Sequence, residues 1–375
     1  METNLYKLQD ILKEINLTKG LDVGITKTLY ERLVRINQLT CIATKEVLVS
    51  NTYIGMLEEL LTSKYLQLTK SLMSIIINIY TNCIKNSPGY ACRNMLTNML
   101  TLSNSKLLLN SSRECIIHIV GLLIQYSFQH CNSMMNEIFG LLLNLIKTNE
   151  TQFLRTCCLT TIIKCVIAGE YKYADTYLEL LKNLSKYTYD IKTKGCVEIR
   201  VQISILFYEI VKNGYKNNTN GLTSDYLINY SNKGLEDDSA TVQGNYCKAI
   251  ALLWVLRMKT YMSEQEELKL AVTRDGGEKE SDKKSGLGLH FLAQASSKAL
   301  NSKLGSSISS LLTKKATLED FNFKNIVTHL LKQCSLPTSS LNNTGSRMGG
   351  PVTISNSTKS AYFNIIGQFL NYSVA

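Results

Sequence analysis

The fold class predicted by this sequence is all-α, an α-α superhelix of the HEAT or armadillo kind, in which helix pairs stack into a solenoid. Three observations predict it. Only three prolines, Pro88, Pro337 and Pro351, occur in 375 residues, so only short polar gaps interrupt the helical runs from Thr52 to Lys85 and from Asn110 to Met258. The predicted helices come in pairs whose first members begin near Tyr53, Gly89, Asn132, Tyr171 and Thr223, in steps of 36, 43, 39 and 52 residues, three of them close to the HEAT or armadillo period. Within a helix, apolar residues advance by three or four, as in Met135, Ile138, Leu142 and Leu145 and, in the partner helix, Leu154, Cys158, Ile162 and Cys165.

Taken in order, residues 1–51 read as N-terminal helices, opening with METNLYKLQDILKEI as an amphipathic helix. Charges there mix with apolar residues from the second position, unlike the basic start and apolar block of a secretory signal. Residues 52–260 read as HEAT-like repeats. The pairs are Tyr53–Thr62 with Tyr65–Lys85; a helix opening at Gly89 with Glu114–Ser127; Asn132–Lys147 with Thr151–Ala168; Tyr171–Lys186 with Lys194–Lys212; and Thr223–Leu235 with Ala240–Lys259. A two-helix unit of this size cannot bury both of its sides, so it must stack on its neighbours and leave extended surfaces of the kind that bind proteins.

The most diagnostic unit is Tyr226 to Leu256. Its first helix ends at Leu235, and Asp237, Asp238 and Ser239 are placed to accept hydrogen bonds from the free amides of the helix that follows. That helix sets Val242, Tyr246, Ala249, Leu253 and Leu256 on one stripe, with the small Ala249 permitting close approach. An aspartate in the turn, a valine soon after it and an alanine in mid-helix resemble the HEAT consensus. Asp237, Asp238, Val242, Ala249 and Leu253 are therefore the predicted turn and seam residues, with a structural role.

Residues 261–319 read as a charged loop (SEQEELKLAVTRDGGEKESDKKSG) followed by a weak amphipathic segment, Leu287 to Leu312. Residues 320–375 read as a further partial repeat, with helices Phe321–Lys332 and Ser360–Tyr372 around a polar insertion, Ser335 to Thr358. The chain stops on an apolar helix with no polar closing repeat, so the expectation is an array that continues beyond Ala375.

Composition narrows the function class. Eleven cysteines are scattered with no CxxC, which points to buried, reduced thiols in a reducing compartment. The net charge of +11 is spread along helices without a run of five lysines or interleaved aromatics, the pattern of a solvated surface rather than a nucleic-acid groove. The most apolar stretches, such as Cys115 to Ile124, are about half the span a membrane helix needs, so no transmembrane segment is expected. There is no GxxxxGK[ST], and Gly286–Phe291 lacks the third glycine of a dinucleotide fingerprint. Cys115 and His118 share a helical face without further zinc ligands, and Cys157 and Cys158 lack an orienting motif for a thiol nucleophile. Trp254 reads as a core anchor. No catalytic residue, cofactor, metal or small-molecule substrate is expected, and the partners expected are proteins.

The stretch KKATLEDFNFKNIVTHLL, Lys314 to Leu331, followed by the gap Arg347 to Gly350 and a helix near Lys359, resembles the HEAT-repeat-containing protein 5 family. The counterparts of that family's motif are Lys314, Lys315, Ala316, Thr317, Leu318, Glu319 and Asp320. Here the gap carries Asn and Ser where the family is richer in glycine, and the charged insertion has no counterpart. The resemblance implies a long, non-catalytic scaffold in the cytoplasm, peripheral to endosome or trans-Golgi membranes, that serves vesicle-mediated transport between them and binds clathrin adaptor or coat-associated proteins. The alternatives are a generic armadillo or HEAT scaffold and a basic α-solenoid that binds RNA. The second is disfavoured because no polar triplet recurs from repeat to repeat.

Overall fold

The structure, a computed structural model, describes residues 2–148 except 21 and 49, then 151–169, 176, 179–181, 183–184, 196–216, 234–235, 237–275, 328, 331, 334 and 356–374. Every regular element among them is helical, and the fold is all-α, of the α-α superhelix class. The helices are α1 (Glu2–Thr18), α2 (Val23–Thr40), α3 (Lys45–Leu48), α4 (Asn51–Thr62), α5 (Lys70–Asn86), α6 (Gly89–Ser103), α7 (Asn110–Cys131), α8 (Met135–Thr148), α9 (Gln152–Gly169), α10 (Val197–Lys216), α11 (Ala240–Asp275) and α12 (Asn356–Val374). Contacts divide the chain into one unit of Met1–Asn217 with Asp237–Ala249 and another of Asn218–Glu236 with Ile250–Ala375.

In the first unit each helix buries the stripe that its spacing predicts. Leu5, Leu8, Leu12 and Ile15 are buried on α1, and Ile25, Leu29, Leu33 and Ile36 on α2. The sequence-predicted seams of α8 and α9, including Met135, Ile138, Leu142, Leu154, Cys158 and Ile162, are buried too. Helix starts are fixed by side-chain caps. Asp22 Oδ1 accepts from the Ile25 amide at 2.6 Å, Ser50 Oγ from Tyr53 at 3.3 Å and Thr69 Oγ1 from Leu72 at 3.3 Å. The Thr69 cap is why the second helix of its pair begins at Lys70 and not at Tyr65.

The packing runs through the second helix of each pair: α2 packs on α5, α5 on α7, α7 on α9 and α9 on α10. Their starts, with that of α11, fall at Val23, Lys70, Asn110, Gln152, Val197 and Ala240, steps of 47, 40, 42, 45 and 43 residues. This period is more regular than that of the first helices, because turn lengths vary while the second helices set the stacking. The first helices pack against the row, α1 on α2, α6 on α7 and α8 on α9. The pair α1 and α2 belongs to the same unit as those that follow.

Helix α9 is long and apolar enough to cross a membrane by length and composition alone, which the sequence reading did not single out. It is apolar nearly all round because it lies between α7 and α10 under α8, and more than half of its window is buried there. Helix α7 kinks at Ser127, whose backbone is non-helical (φ −137°, ψ 30°).

Two readings need correction. The charged segment expected to be a loop from residue 261 continues α11 as helix to Asp275, because Glu, Gln, Leu, Lys, Ala and Arg all favour helix and the breaking pair Gly276–Gly277 comes only afterwards. Trp254 is only half-buried, while Leu252, Leu253, Val255 and Leu256 around it are fully buried. In the second unit α12 begins at Asn356 and buries Ala361, Ile365 and Phe369. The segments Leu287 to Leu312, Thr223 to Lys233 and nearly all of Lys314 to Leu331 lie outside the described residues, as does the polar insertion Ser335 to Thr358 except for Cys334's neighbourhood at its start and Asn356, Ser357 and Thr358, which open α12 as helix.

Candidate functional site

The turn singled out by sequence is built around one carboxylate. Asp237 is buried and accepts from Arg200 of α10 twice, Nε to Oδ2 at 2.7 Å and Nη2 to Oδ1 at 3.3 Å. Its Oδ1 also accepts the Ser239 amide at 2.9 Å, and the Ser239 carbonyl accepts Gln243 N–H at 3.0 Å, closing the first turn of α11. The cap is therefore Asp237 and Ser239, while Asp238 is exposed. Val242, Tyr246, Ala249 and Leu253 are fully buried. Tyr246 meets Phe207 of α10 with ring centroids 5.3 Å apart.

Arg200, not anticipated from the sequence, is one of three equivalent arginines. Arg113, Arg155 and Arg200 each occupy the fourth position of α7, α9 and α10. Arg113 Nη2 donates to the Ser105 carbonyl at 2.8 Å and Arg155 Nε to the Ile146 carbonyl at 3.1 Å, so these two satisfy acceptors at the end of their own first helix or its turn. Arg200 reaches forward to the next turn instead, because an aspartate stands there. The available signal was an Arg recurring with steps of 42 and 45 residues in SSREC, FLRTC and EIRVQ.

Polar contacts between neighbouring repeats recur at the same spacing. Asn82 Nδ2 donates to Asn37 Oδ1 at 3.1 Å, the Leu68 amide to Ser111 Oγ at 3.1 Å, and Asn98 Nδ2 to Glu58 Oε1 at 2.8 Å. Thr161 Oγ1 donates to the Ile117 carbonyl at 3.2 Å, Thr160 Oγ1 to Gln202 Oε1 at 3.3 Å, Asn213 Nδ2 to the Val166 carbonyl at 2.6 Å, and Asn245 Nδ2 to Ser204 Oγ at 3.0 Å. These pairs are separated by between 40 and 47 residues, one repeat apart. All but Asn98–Glu58, which joins α6 to α4, lie on or just before second helices and join like positions along them, so the second helices run parallel.

The outward side of these helices is half-buried and of mixed chemistry. Met73 and Ile77 on α5, Glu114, His118 and Leu122 on α7, Thr160 and Lys164 on α9, and Gln202 and Ile205 on α10 are all partly exposed. Gly121 makes room for the α9 side chains: a Cβ there would stand 3.1 Å from Thr161 Oγ1 and 3.2 Å from Lys164 Cδ. Burial lowers the His118 pKa, with Lys164 adding to the effect, and burial lowers that of Lys164. Glu114 is raised by burial against the opposing pull of Lys70.

Buried thiols are held protonated. Burial pushes Cys83, Cys158, Cys165 and Cys247 up to about 12 and Cys157 well up, the opposite of what a nucleophile needs. None of the eleven cysteines is in a disulfide, and ten are buried, Cys41 being exposed. Among the described residues no group of three or more His, Cys, Asp or Glu side chains could hold a metal ion.

No family model matches the sequence and no curated protein matches it. Among solved structures, the chain is similar to two engineered proteins determined by crystallography. One is 11% identical with a TM-score of 0.39, covering 66% of this chain and 97% of its own. The other is 10% identical with a TM-score of 0.39, covering 97% and 88% respectively.

Proposed function

We propose that the chain is a non-catalytic scaffold of HEAT-type helix pairs that holds other proteins on the outward side of its second helices. The observation that carries this reading is the parallel row from α2 to α11, locked by contacts one repeat apart. Such a row presents a broad surface whose half-buried aliphatic and polar side chains, Ile77, Leu122, Thr160 and Ile205 among them, suit protein contact. Thiols held protonated by burial agree with a binding role rather than a nucleophilic one.

In its specific form, which rests on the resemblance at Lys314 to Leu331, the scaffold serves transport between endosomes and the trans-Golgi network and engages clathrin adaptor or coat-associated proteins. Proximity labelling of the tagged full chain tests both levels. Enrichment of coat and adaptor subunits is the expected result. Recovery of ribosomal or splicing proteins in their place would sink the trafficking form and favour an RNA-binding solenoid.

A further inference from the structure

The six parallel second helices all begin on one edge of the first unit, and the turns before α5 and α7 lie side by side there. Three neighbouring turns on this edge expose large apolar side chains. Leu107 and Phe153 are 68% and 71% exposed, and Tyr65 is 40% exposed, each standing in or beside a different one of three consecutive turns. Every one of these turns also carries exposed lysine: Lys64 and Lys70, Lys106, and Lys147. The stretches 63–71 and 104–113 contain Lys64, Lys70, Lys106 and Arg113 and no acidic residue. The turns lie close together: the Leu68 amide bonds Ser111 Oγ at 3.1 Å, and Lys70 Nζ stands 5.8 Å from the Phe153 ring. The second helices moreover point their positive dipole ends at this edge.

Large apolar side chains raised singly on neighbouring turns, each beside a lysine, match an interface between hydrocarbon and anionic headgroups. The apolar group enters the acyl boundary while the ammonium stays among the headgroups. A protein partner would be met by anchors gathered around a desolvated pocket, whereas Leu107 and Phe153 here stand more than two-thirds exposed. We propose that this edge, centred on Tyr65, Leu107 and Phe153 with Lys64, Lys70, Lys106 and Lys147, docks the protein on an anionic phospholipid surface. The proposal goes beyond the scaffold reading and does not depend on it.

The test is co-sedimentation of the full chain with vesicles of phosphatidylcholine alone and of phosphatidylcholine containing about a quarter phosphatidylserine. Binding is expected only to the second, and to weaken as salt is raised. The pair Lys64→Gln and Lys106→Gln is expected to weaken it roughly 25-fold, at about five-fold per lysine. The pair Leu107→Ser and Phe153→Ser is expected to weaken it comparably. Because all four side chains are exposed, thermal unfolding of both variants should match the parent, so a loss cannot be ascribed to misfolding. Failure to bind anionic vesicles, equal binding to both kinds, or binding unchanged in the two variants each overturns the proposal, the last by placing the lipid contact elsewhere on the chain.

Discussion

Tyr53 and Tyr80 bury phenols with different surroundings. The Tyr53 hydroxyl shares a 2.6 Å hydrogen bond with Thr40 Oγ1, whereas that of Tyr80 has no hydrogen-bond partner among the described residues. Tyr53→Phe should therefore cost about 1 kcal/mol, while Tyr80→Phe should be neutral or stabilising by up to about 1 kcal/mol; urea unfolding of the two variants would show the difference. The Arg200–Asp237 pair is buried on both sides, with side chains 7% and 4% exposed. Arg200→Met leaves a buried carboxylate without its cation, and we expect a loss of about 3–5 kcal/mol in the same measurement. His118 has a folded pKa below its ordinary value, so the folded state binds fewer protons. Its contribution is fully present above the ordinary value of 6.5 and is lost as pH falls through the lowered one. Glu114, raised by burial, works with the opposite sign, so the comparison must be with a variant that removes His118 alone. His118→Gln should lose less stability than the parent between about pH 7 and pH 5. At this scale the sequence showed Asp237 and its turn but not its partner. A carboxylate before a helix announces a cap on local grounds, whereas Arg200 lies 37 residues away and is paired only by the stacking.

At the scale of the element, spacing and caps made most helices legible. The stripe of α8 was readable because it buries one face defined by i, i+3 and i+4, whereas α9 buries its predicted stripe and most of the rest of its circumference as well. Boundaries were less so: α5 starts at Lys70 because Thr69 caps it, and α11 runs to Asp275 because its charged extension consists of strong helix formers. The contact between α7 and α9 depends on Gly121, whose missing side chain lets Thr161 and Lys164 lie against α7. Gly121→Val should destabilise by about 1–3 kcal/mol through overpacking, seen as a lowered denaturant midpoint with unchanged slope. That a glycine in mid-helix marks a close approach, and not a weak point, became apparent only once α9 was in place.

For the whole molecule, the period was legible because a repeat writes its spacing into the sequence several times. The steps between second helices, 47, 40, 42, 45 and 43 residues, agree with the 40 to 47 residues that separate the polar contacts between neighbours. The surface that such a row uses was not legible, since a partner site leaves no fixed motif on a scaffold. The central claim is that the second helices stack parallel, one repeat apart, with their starts on one edge. Cross-linking with a short amine-reactive reagent, followed by mass spectrometry, tests it most directly. Lys64 and Lys70 should link to Lys106, although a repeat of sequence separates them. Lys85 should not link to Lys106, because it lies at the far end of α5, a helix of 17 residues and about 25 Å. Links joining Lys85 to Lys106 in preference to Lys70 would contradict the parallel register and the scaffold built upon it.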